Sequence, residues 1–184
     1  MKIVFLDGPR TYDGRQLSTA FIDEHVGAAG DAMVLFVGPA DVPLEHMVDL
    51  EDVEAERPIY GPRMAHVLVE HRDMDLRAGV LAQRLLVRLA ADFVGRRSGA
   101  PVEVRGDDLF VGAGKLSVSV ATRSPRGVLI HLGVNVETEG TPVRTVGLRD
   151  LRLPARDFLR ALGRGYADEY ASVLHAASKV RPVP

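Results

Sequence analysis

Apolar residues along the first half of the chain form short runs that predict strands. Residues Lys2 to Leu6 and Met33 to Val37 are nearly continuous apolar runs, which is typical of buried strands. Residues His66 to His71 alternate with a period of two, which places the two histidines on opposite faces of a strand. We therefore expect these runs to supply the central part of a sheet.

Apolar positions at helical spacing predict three helices. They cover Gln16 to Val26, Leu76 to Val94 and Pro154 to Ser178. An aspartate can cap the start of the long middle helix, and Gly95 can end it. The acidic segment from Leu44 to Arg63 lacks a clear period, and we interpret it as a loop or an irregular edge strand.

The stretch from Val102 to Val136 changes to strands joined by tight turns. Gly112-Ala113-Gly114 marks one turn, and Ser124 to Gly127 marks the next. This pattern predicts an antiparallel meander. No internal repeat or linker divides the sequence, so we expect a single α+β domain over residues 1–184.

One face of this meander is predicted to carry polar residues. In residues 128–136 the even positions are all apolar, whereas the odd positions are mostly polar or glycine. If Lys115 opposes Asn135 across the second turn, one face carries Asp107, Lys115, Ser117, Ser119, His131 and Asn135. Ser117 and Gly133 would leave room above the sheet for a polar ligand. The alternative is the ordinary solvated face of a half-buried sheet.

Composition and charge limit the classes of function. The 184 residues are 46% hydrophobic and 26% charged, which is typical of a globular domain. The absence of cysteine excludes disulfides, thiolate metal sites and thioester intermediates. A net charge of −2 offers no general basic surface for nucleic acid or membranes. The first apolar run ends at Asp7 and is too short for the apolar segment of a secretory signal. We therefore expect a cytoplasmic protein.

The stretch from Arg105 to Val136 resembles the core of biotin-protein and lipoate-protein ligases. The matching motifs are Asp107-Asp108-Leu109, Gly114-Lys115-Leu116 and Gly133-Val134-Asn135-Val136. The whole chain resembles more closely a prokaryotic family known as a numbered domain of unknown function, DUF366. That resemblance rests on EHMVDLEDV, LVEH, DLR, GDDL, GKLSVS, SP and IHLGVNV. The family is grouped with the ligase and class II synthetase-like fold.

The resemblance implies a mixed, largely antiparallel sheet with helices packed on it. It also implies adenylation of a carboxylate with ATP and Mg²⁺, followed by acyl transfer. The ligases' essential lysine falls on Lys115, where an ammonium can hold a substrate carboxylate against the α-phosphate. Asp107 or Asp108 can position Mg²⁺ or contact a ribose. His131 and Asn135 then shape the substrate end of the site.

The chain departs from the ligases at their glycine-rich adenylate loop, which has no match here. The corresponding stretch, Glu45 to Asp52, is acidic and would repel a triphosphate unless metal ions intervene. Asp107 also replaces the usual asparagine. These departures keep open a non-catalytic module that binds a small carboxylate or a nucleotide-like metabolite.

Two other interpretations use the same residues differently. His46 and Asp49, with acidic neighbours, could form a site for a hard metal ion, or could belong to a solvated acidic loop. The polar face of the meander could instead be covered by another subunit, as in a homo-oligomer. The ligase-like enzyme, the binding module and the interaction protein are thus the three hypotheses that the sequence supports.

Overall fold

The computed structural model describes residues 1–8, 10–27 and 30–183. These residues form eight strands, four α-helices and one 3-10 turn. In chain order they are β1 (Lys2–Phe5), α1 (Thr19–Val26), β2 (Ala32–Val42), the 3-10 turn (Leu44–His46), α2 (Leu50–Glu54), β3 (Ile59–Arg72), α3 (Leu76–Ser98), β4 (Val102–Arg105), β5 (Asp108–Val111), β6 (Gly114–Lys115), β7 (Ser117–Ser124), β8 (Gly127–Glu137) and α4 (Ala155–Ser178).

The strands form two sheets. The main sheet has the order β1-β2-β3-β8-β7, and the smaller sheet has the order β4-β5-β6. β1 is parallel to β2, while the other neighbouring strands of both sheets are antiparallel. α1 lies between the two parallel strands in the chain, as such crossover connections usually require. This α+β architecture with a mixed, largely antiparallel sheet confirms the predicted fold.

The central strands are longer than their apolar runs predicted, because residues outside these runs also join the ladders. Most residues of β2 and β3 are buried, as expected for strands covered on both faces. His66 and His71 point to opposite faces, as predicted. His66 stacks on Phe36, whereas His71 contacts Tyr166 of α4.

Two apolar layers cover the main sheet. α3 and α4 pack on one face, against side chains of the sheet that include Ile130 and Leu132 of β8. α1 and Tyr12 pack on the other face, which carries Leu129. The even positions of β8 face the first layer, as predicted, whereas the odd positions, which were expected to form a polar face, are also buried. In the described part of the chain, the helices are too short or too polar to cross a membrane.

The ends of α3 follow from its caps. The Asp75 side chain accepts a hydrogen bond of 2.9 Å from the amide of Ala78. The helix ends at Gly99, whose φ of 71° is left-handed and therefore suits glycine. The predicted end at Gly95 is wrong because the helix continues for one more turn. The positive charges of Arg96 and Arg97 in this last turn interact favourably with the negative end of the helix dipole.

The predicted meander is divided between the two sheets. β4, β5 and β6 belong to the small sheet, and the chain crosses to the main sheet at Leu116, whose amide donates to the carbonyl of Leu109. The single strand predicted from Lys115 onward is therefore wrong: Lys115 ends β6, and Ser117 begins β7.

The predicted register between β7 and β8 is wrong by one residue. His131 lies opposite Val120 rather than opposite Ser119. Ser119 points instead to the face covered by α3, where its hydroxyl accepts a hydrogen bond of 2.9 Å from Gln83. Because a shift of one residue moves every side chain to the other face, the predicted polar set does not share one face.

The acidic segment between β2 and β3 is more regular than the predicted loop or edge strand. Its 3-10 turn and α2 precede β3, which begins at Ile59. The side chain of Asp49 caps α2 by accepting hydrogen bonds from the amides of Glu51 and Asp52. This local capping gives a short helix to a segment that has no apolar period.

Candidate functional site

A pocket opens beside β7, at the edge of the main sheet, and most of its lining lies on the face away from α3 and α4. Its walls are Tyr12, the segment from His46 to Arg57, the hairpin of β5 and β6, and parts of β7 and β8. Its volume is about 260 Å³. Small-molecule sites usually measure roughly 300–1,000 Å³. The pocket therefore suits a small organic molecule.

At the buried end of the pocket, Tyr12 and His131 stack with each other and with His66, which does not line the pocket. We call these three residues the floor cluster. The ring centroids of Tyr12 and His131 are 3.9 Å apart, and those of Tyr12 and His66 are 5.2 Å apart. His66 Nδ1 lies 3.1 Å from His131 Nε2, and His66 Nε2 lies 3.2 Å from the carbonyl oxygen of Gly38. Each of the three side chains is at most 3% exposed.

Burial keeps the floor cluster uncharged. It lowers the pKa of His66 to about 4. It also lowers the pKa of His131 well below 6.5, with a further contribution from His66. Burial raises the pKa of the Tyr12 phenol, and the nearby Asp13 raises it further. The buried end of the pocket is therefore polar and neutral at physiological pH.

The exposed end of the pocket carries charges, which we call the mouth cluster: Asp52, Asp107, Asp108 and Lys115. Lys115 Nζ lies 2.7 Å from Asp108 Oδ2, and both side chains are 29% exposed. Asp107 accepts a hydrogen bond of 3.0 Å from Gln83 of α3. Three carboxylates thus surround one ammonium at the mouth.

The carboxyl of Asp108 is in an unfavourable place for a negative charge. Burial raises its pKa, and the Coulombic effects of Asp107 and Asp52 raise it further. The hydrogen bond and charge of Lys115 oppose this shift without cancelling it. Asp108 therefore takes up a proton more readily than an ordinary aspartate.

Backbone hydrogen bonds fix the position of Lys115. β5 and β6 form a tight hairpin that pairs Phe110 with Lys115, and the turn uses Gly112 at a φ of 58°. The amide of Lys115 donates to the carbonyl of Arg144, and its carbonyl accepts from Val146. The side chain reaches the mouth from a rigid backbone.

The structure brings most of the predicted site residues to this one pocket. Those that line it are Asp107, Asp108, Lys115, Ser119, His131, His46 and Asp49. They meet although the predicted register was wrong, because the hairpin of the small sheet and the main sheet converge on the same hollow. Their predicted roles toward a ligand stay predictions.

Two predicted ligand-binding residues serve the backbone instead. Ser117 is fully buried, and its hydroxyl accepts a hydrogen bond of 3.0 Å from the amide of Leu109. Asn135 donates from Nδ2 to the carbonyl of Lys115 at 3.1 Å. Both side chains lie away from the pocket lining and hold the crossing between the two sheets. Asn135 therefore acts on the site only by positioning Lys115.

The open space predicted above Gly133 is occupied by the protein itself. A β-carbon at this position would lie 3.1 Å from Met64 Cε and 3.2 Å from His131 Cε1. Glycine is therefore needed for close packing beneath the floor cluster, and the prediction of a ligand above it is wrong.

The metal site predicted at His46 and Asp49 has no complete ligand set. His46 Nδ1 lies 2.9 Å from the carbonyl oxygen of Asp13, and Asp49 caps α2. Over residues 1–8, 10–27 and 30–183, groups of three or more acidic, histidine or cysteine side chains placed to hold a metal ion are absent. These two residues are thus engaged in local structure.

Several residues of the pocket carry no signal in the sequence. Tyr12 and Arg57 line it, and neither belongs to a motif or an apolar pattern. Val118 and Val120 also line it, because the register of β7 pairs Val118 with Gly133 and Val120 with His131. An isolated tyrosine carries no local signal, since its role depends on contacts with residues far along the chain.

Two solved structures define the class of fold. A protein of unknown function from Pyrococcus horikoshi has a TM-score of 0.94 and 31% identity, with 100% of both chains covered. A biotin protein ligase from Aquifex aeolicus, in complex with biotin and ATP, has a TM-score of 0.59 and 11% identity, covering 91% of this chain and 69% of that chain. The chain therefore has the fold of the biotin and lipoate protein ligases.

The family follows from sequence. Residues 1–181 match the model described as "Domain of unknown function (DUF366)", and the chain belongs to this family. A curated relative, the uncharacterized protein MJ0805 of Methanocaldococcus jannaschii, is 31% identical over 190 residues, which cover 100% of this chain and 86% of the relative. Both findings confirm the resemblance noted in the sequence.

Proposed function

We propose that the protein binds a small carboxylate-bearing molecule in this pocket, with Lys115 holding the carboxylate. The observation that carries the proposal is the partly buried ammonium of Lys115, held by a rigid backbone at the mouth of a concave pocket. A charge-assisted hydrogen bond to such an ammonium is stronger than a neutral one. The exposed Arg57 offers a second cation beside the pocket.

The acids of the mouth cluster make binding dependent on pH. A ligand carboxylate competes with Asp108 for Lys115, and the raised pKa of Asp108 lets this side chain take up a proton as it is displaced. Proton uptake on binding means that affinity increases as the pH falls toward the pKa of Asp108. The Asp108→Asn variant should bind the acid with a weaker pH dependence.

ATP-dependent activation of the bound carboxylate is the second candidate. It is favoured by the shared fold with a ligase that was solved with biotin and ATP. ATP would supply an adenylyl group, and Asp107 and Asp108 are the carboxylates that would hold Mg²⁺. The acidic segment over the pocket does not fit a triphosphate, so we assign no step to ATP. Binding without catalysis therefore agrees better with the residues present.

Calorimetric titration with a series of linear acids, from butanoate to octanoate, tests the proposal. We expect Lys115→Met to weaken binding by at least about tenfold, the size of one charged hydrogen bond. Lys179→Met is the matched control, because it removes the same charge from the exposed end of α4. Unchanged affinity in Lys115→Met, or no binding by any acid of the series, would contradict the proposal.

A second assay separates the two candidates. Release of pyrophosphate is measured with ATP, Mg²⁺ and each acid, for the natural protein and for Lys115→Met. Release that requires both the acid and Lys115 would establish ligase chemistry and replace the first candidate. The homo-oligomer stays a prediction, which light scattering of the full chain measures.

A further inference from the structure

The hydrogen bonds of the floor cluster determine which of its nitrogens carry protons. A carbonyl oxygen only accepts, so the contact of 3.2 Å with Gly38 places the proton of neutral His66 on Nε2. The Nδ1 of His66 is then an acceptor, and its contact of 3.1 Å with His131 requires a proton on His131 Nε2. In the neutral ring of His131, the remaining nitrogen, Nδ1, is therefore unprotonated.

This nitrogen is free to accept another hydrogen bond. Within residues 1–8, 10–27 and 30–183, the buried side-chain atoms without a partner are nitrogens of His25, Arg72 and Arg126. His131 Nδ1 and the Tyr12 hydroxyl are not among them, and the contacts of these two side chains with the described residues satisfy neither atom. Both atoms are consequently reachable from the pocket that their rings line.

We propose that the floor cluster is a subsite for an uncharged O–H or N–H group of the ligand, which donates to His131 Nδ1 and is completed by the Tyr12 hydroxyl. This inference rests on the proposed function and adds to it the chemistry of the ligand's far end. The ligand is then a carboxylic acid with a neutral hydrogen-bond donor at its other end.

The residues around the floor cluster do not suit a ligand whose far end is apolar or cationic. An apolar group would remove both polar atoms from water without giving them partners, which is unfavourable. An ammonium would need a counter-charge, and the pocket's carboxylates lie in the mouth cluster and at Asp49 rather than among the floor rings. The stacked rings of Tyr12 and His131 also hold both acceptors in place before binding.

Matched pairs of ligands test the subsite. Each linear acid from butanoate to octanoate is compared by calorimetry with its ω-hydroxy derivative and its ω-amino derivative. At the chain length that spans the pocket, we expect the hydroxy acid to bind about tenfold more tightly than the parent acid, in line with one well-placed hydrogen bond. The ω-amino derivative should bind more weakly than the ω-hydroxy derivative.

Conservative variants assign the gain to the two side chains. Tyr12→Phe and His131→Phe keep the rings and remove the polar atoms, and each should reduce the preference for the hydroxy acid. Tyr60→Phe, at an exposed position outside the pocket, should leave it unchanged. If the parent acids bind through Lys115 and the hydroxyl gives no gain at any chain length, the subsite is wrong while the proposed function stands.

A measurement without ligand tests the same inference if no acid binds. Nitrogen-15 NMR of histidine-labelled protein distinguishes the two neutral tautomers of His131. We expect Nε2 to show the upfield chemical shift of a protonated ring nitrogen. Nδ1 should show the downfield chemical shift of an unprotonated ring nitrogen. A proton on Nδ1 would overturn the assignment, because this atom could then not accept from a ligand.

Discussion

Two buried histidine clusters lie on opposite faces of the same strand, and their difference separates a structural site from a binding site. His71 contacts Asp31 through Nδ1 at 3.1 Å and the hydroxyl of Tyr166 through Nε2 at 2.6 Å. Both of its ring nitrogens are therefore satisfied by the protein, and the cluster attaches α4 to the sheet. Among the described residues, His131 of the floor cluster finds a partner for only one ring nitrogen, and it lines a pocket.

The comparison shows that burial alone does not identify a functional histidine. Both rings are at most 3% exposed, and both stack against tyrosine or lie beside it. The distinguishing feature is the number of polar atoms that the protein leaves without a partner. The following predictions use this difference, and the first has the largest expected effect.

Replacing each histidine by phenylalanine should separate the two clusters most clearly. His71→Phe leaves the carboxylate of Asp31 and the hydroxyl of Tyr166 without their shared partner, and we expect the free energy of unfolding to fall by about 3 kcal/mol. His131→Phe leaves only the Nδ1 of His66 without a partner, and we expect a loss of about 1 kcal/mol. Urea denaturation measures both. Equal losses would contradict the distinction.

The two clusters should also lose stability in different pH ranges. The folded pKa of His66 is lowered from 6.5 to about 4, so the unfolded chain binds more protons in this interval. The free energy of unfolding should then fall with decreasing pH, by roughly 1.4 kcal/mol per pH unit for one histidine, and level off below the folded pKa.

The cluster of His71, Asp31 and Tyr166 should lose stability at lower pH. Burial raises the pKa of Asp31, but hydrogen bonds from His71 and from the amide of Arg72 outweigh it, and the pKa is lowered from 3.8. Its stabilisation is present above the unfolded pKa and is lost as the pH falls through the folded value. Denaturation at several pH values measures the free energy of unfolding as a function of pH. This dependence should become weaker above pH 4 in His66→Gln, and only below pH 4 in Asp31→Asn. The reverse pattern would contradict the assignment.

Removing one hydroxyl from each cluster should give the smallest effects. Tyr166→Phe deletes the partner of His71 Nε2, and we expect a loss of about 1.5 kcal/mol. Tyr12→Phe deletes a hydroxyl that has no partner among the described residues, and we expect a change of less than about 0.5 kcal/mol. Thermal or urea unfolding checks both variants. A larger loss for Tyr12→Phe would mean that its hydroxyl is satisfied within the protein.

The fold was largely predictable because its signals are local. The even apolar positions of β8 were assigned correctly to a core face, and the apolar positions of α3 correctly predicted a helix packed on the sheet, although Leu81 is 67% exposed. The caps of α2 and α3 depend on one or two neighbouring side chains. The motifs around Lys115 added the class of fold, which periodicity alone could not distinguish from other α+β domains.

The site was less predictable because it depends on contacts between distant segments. The register of β7 is set by the crossing at Leu116 and by Gln83 on α3, neither of which affects the alternation of the strand. The stacking of Tyr12 on His131 joins residues more than a hundred positions apart. Lys115 lines the pocket, and its role toward a ligand stays a prediction. The space above Gly133 could not be judged without knowing where Met64 packs.

The most direct test of the central claim is a crystal structure of the protein with one of the linear acids that the titrations identify as a ligand. We expect the carboxylate within hydrogen-bond distance of Lys115 Nζ, with the chain extending toward Tyr12 and His131. An acid bound elsewhere on the molecule, or bound in the pocket with its carboxylate away from Lys115, would contradict the account.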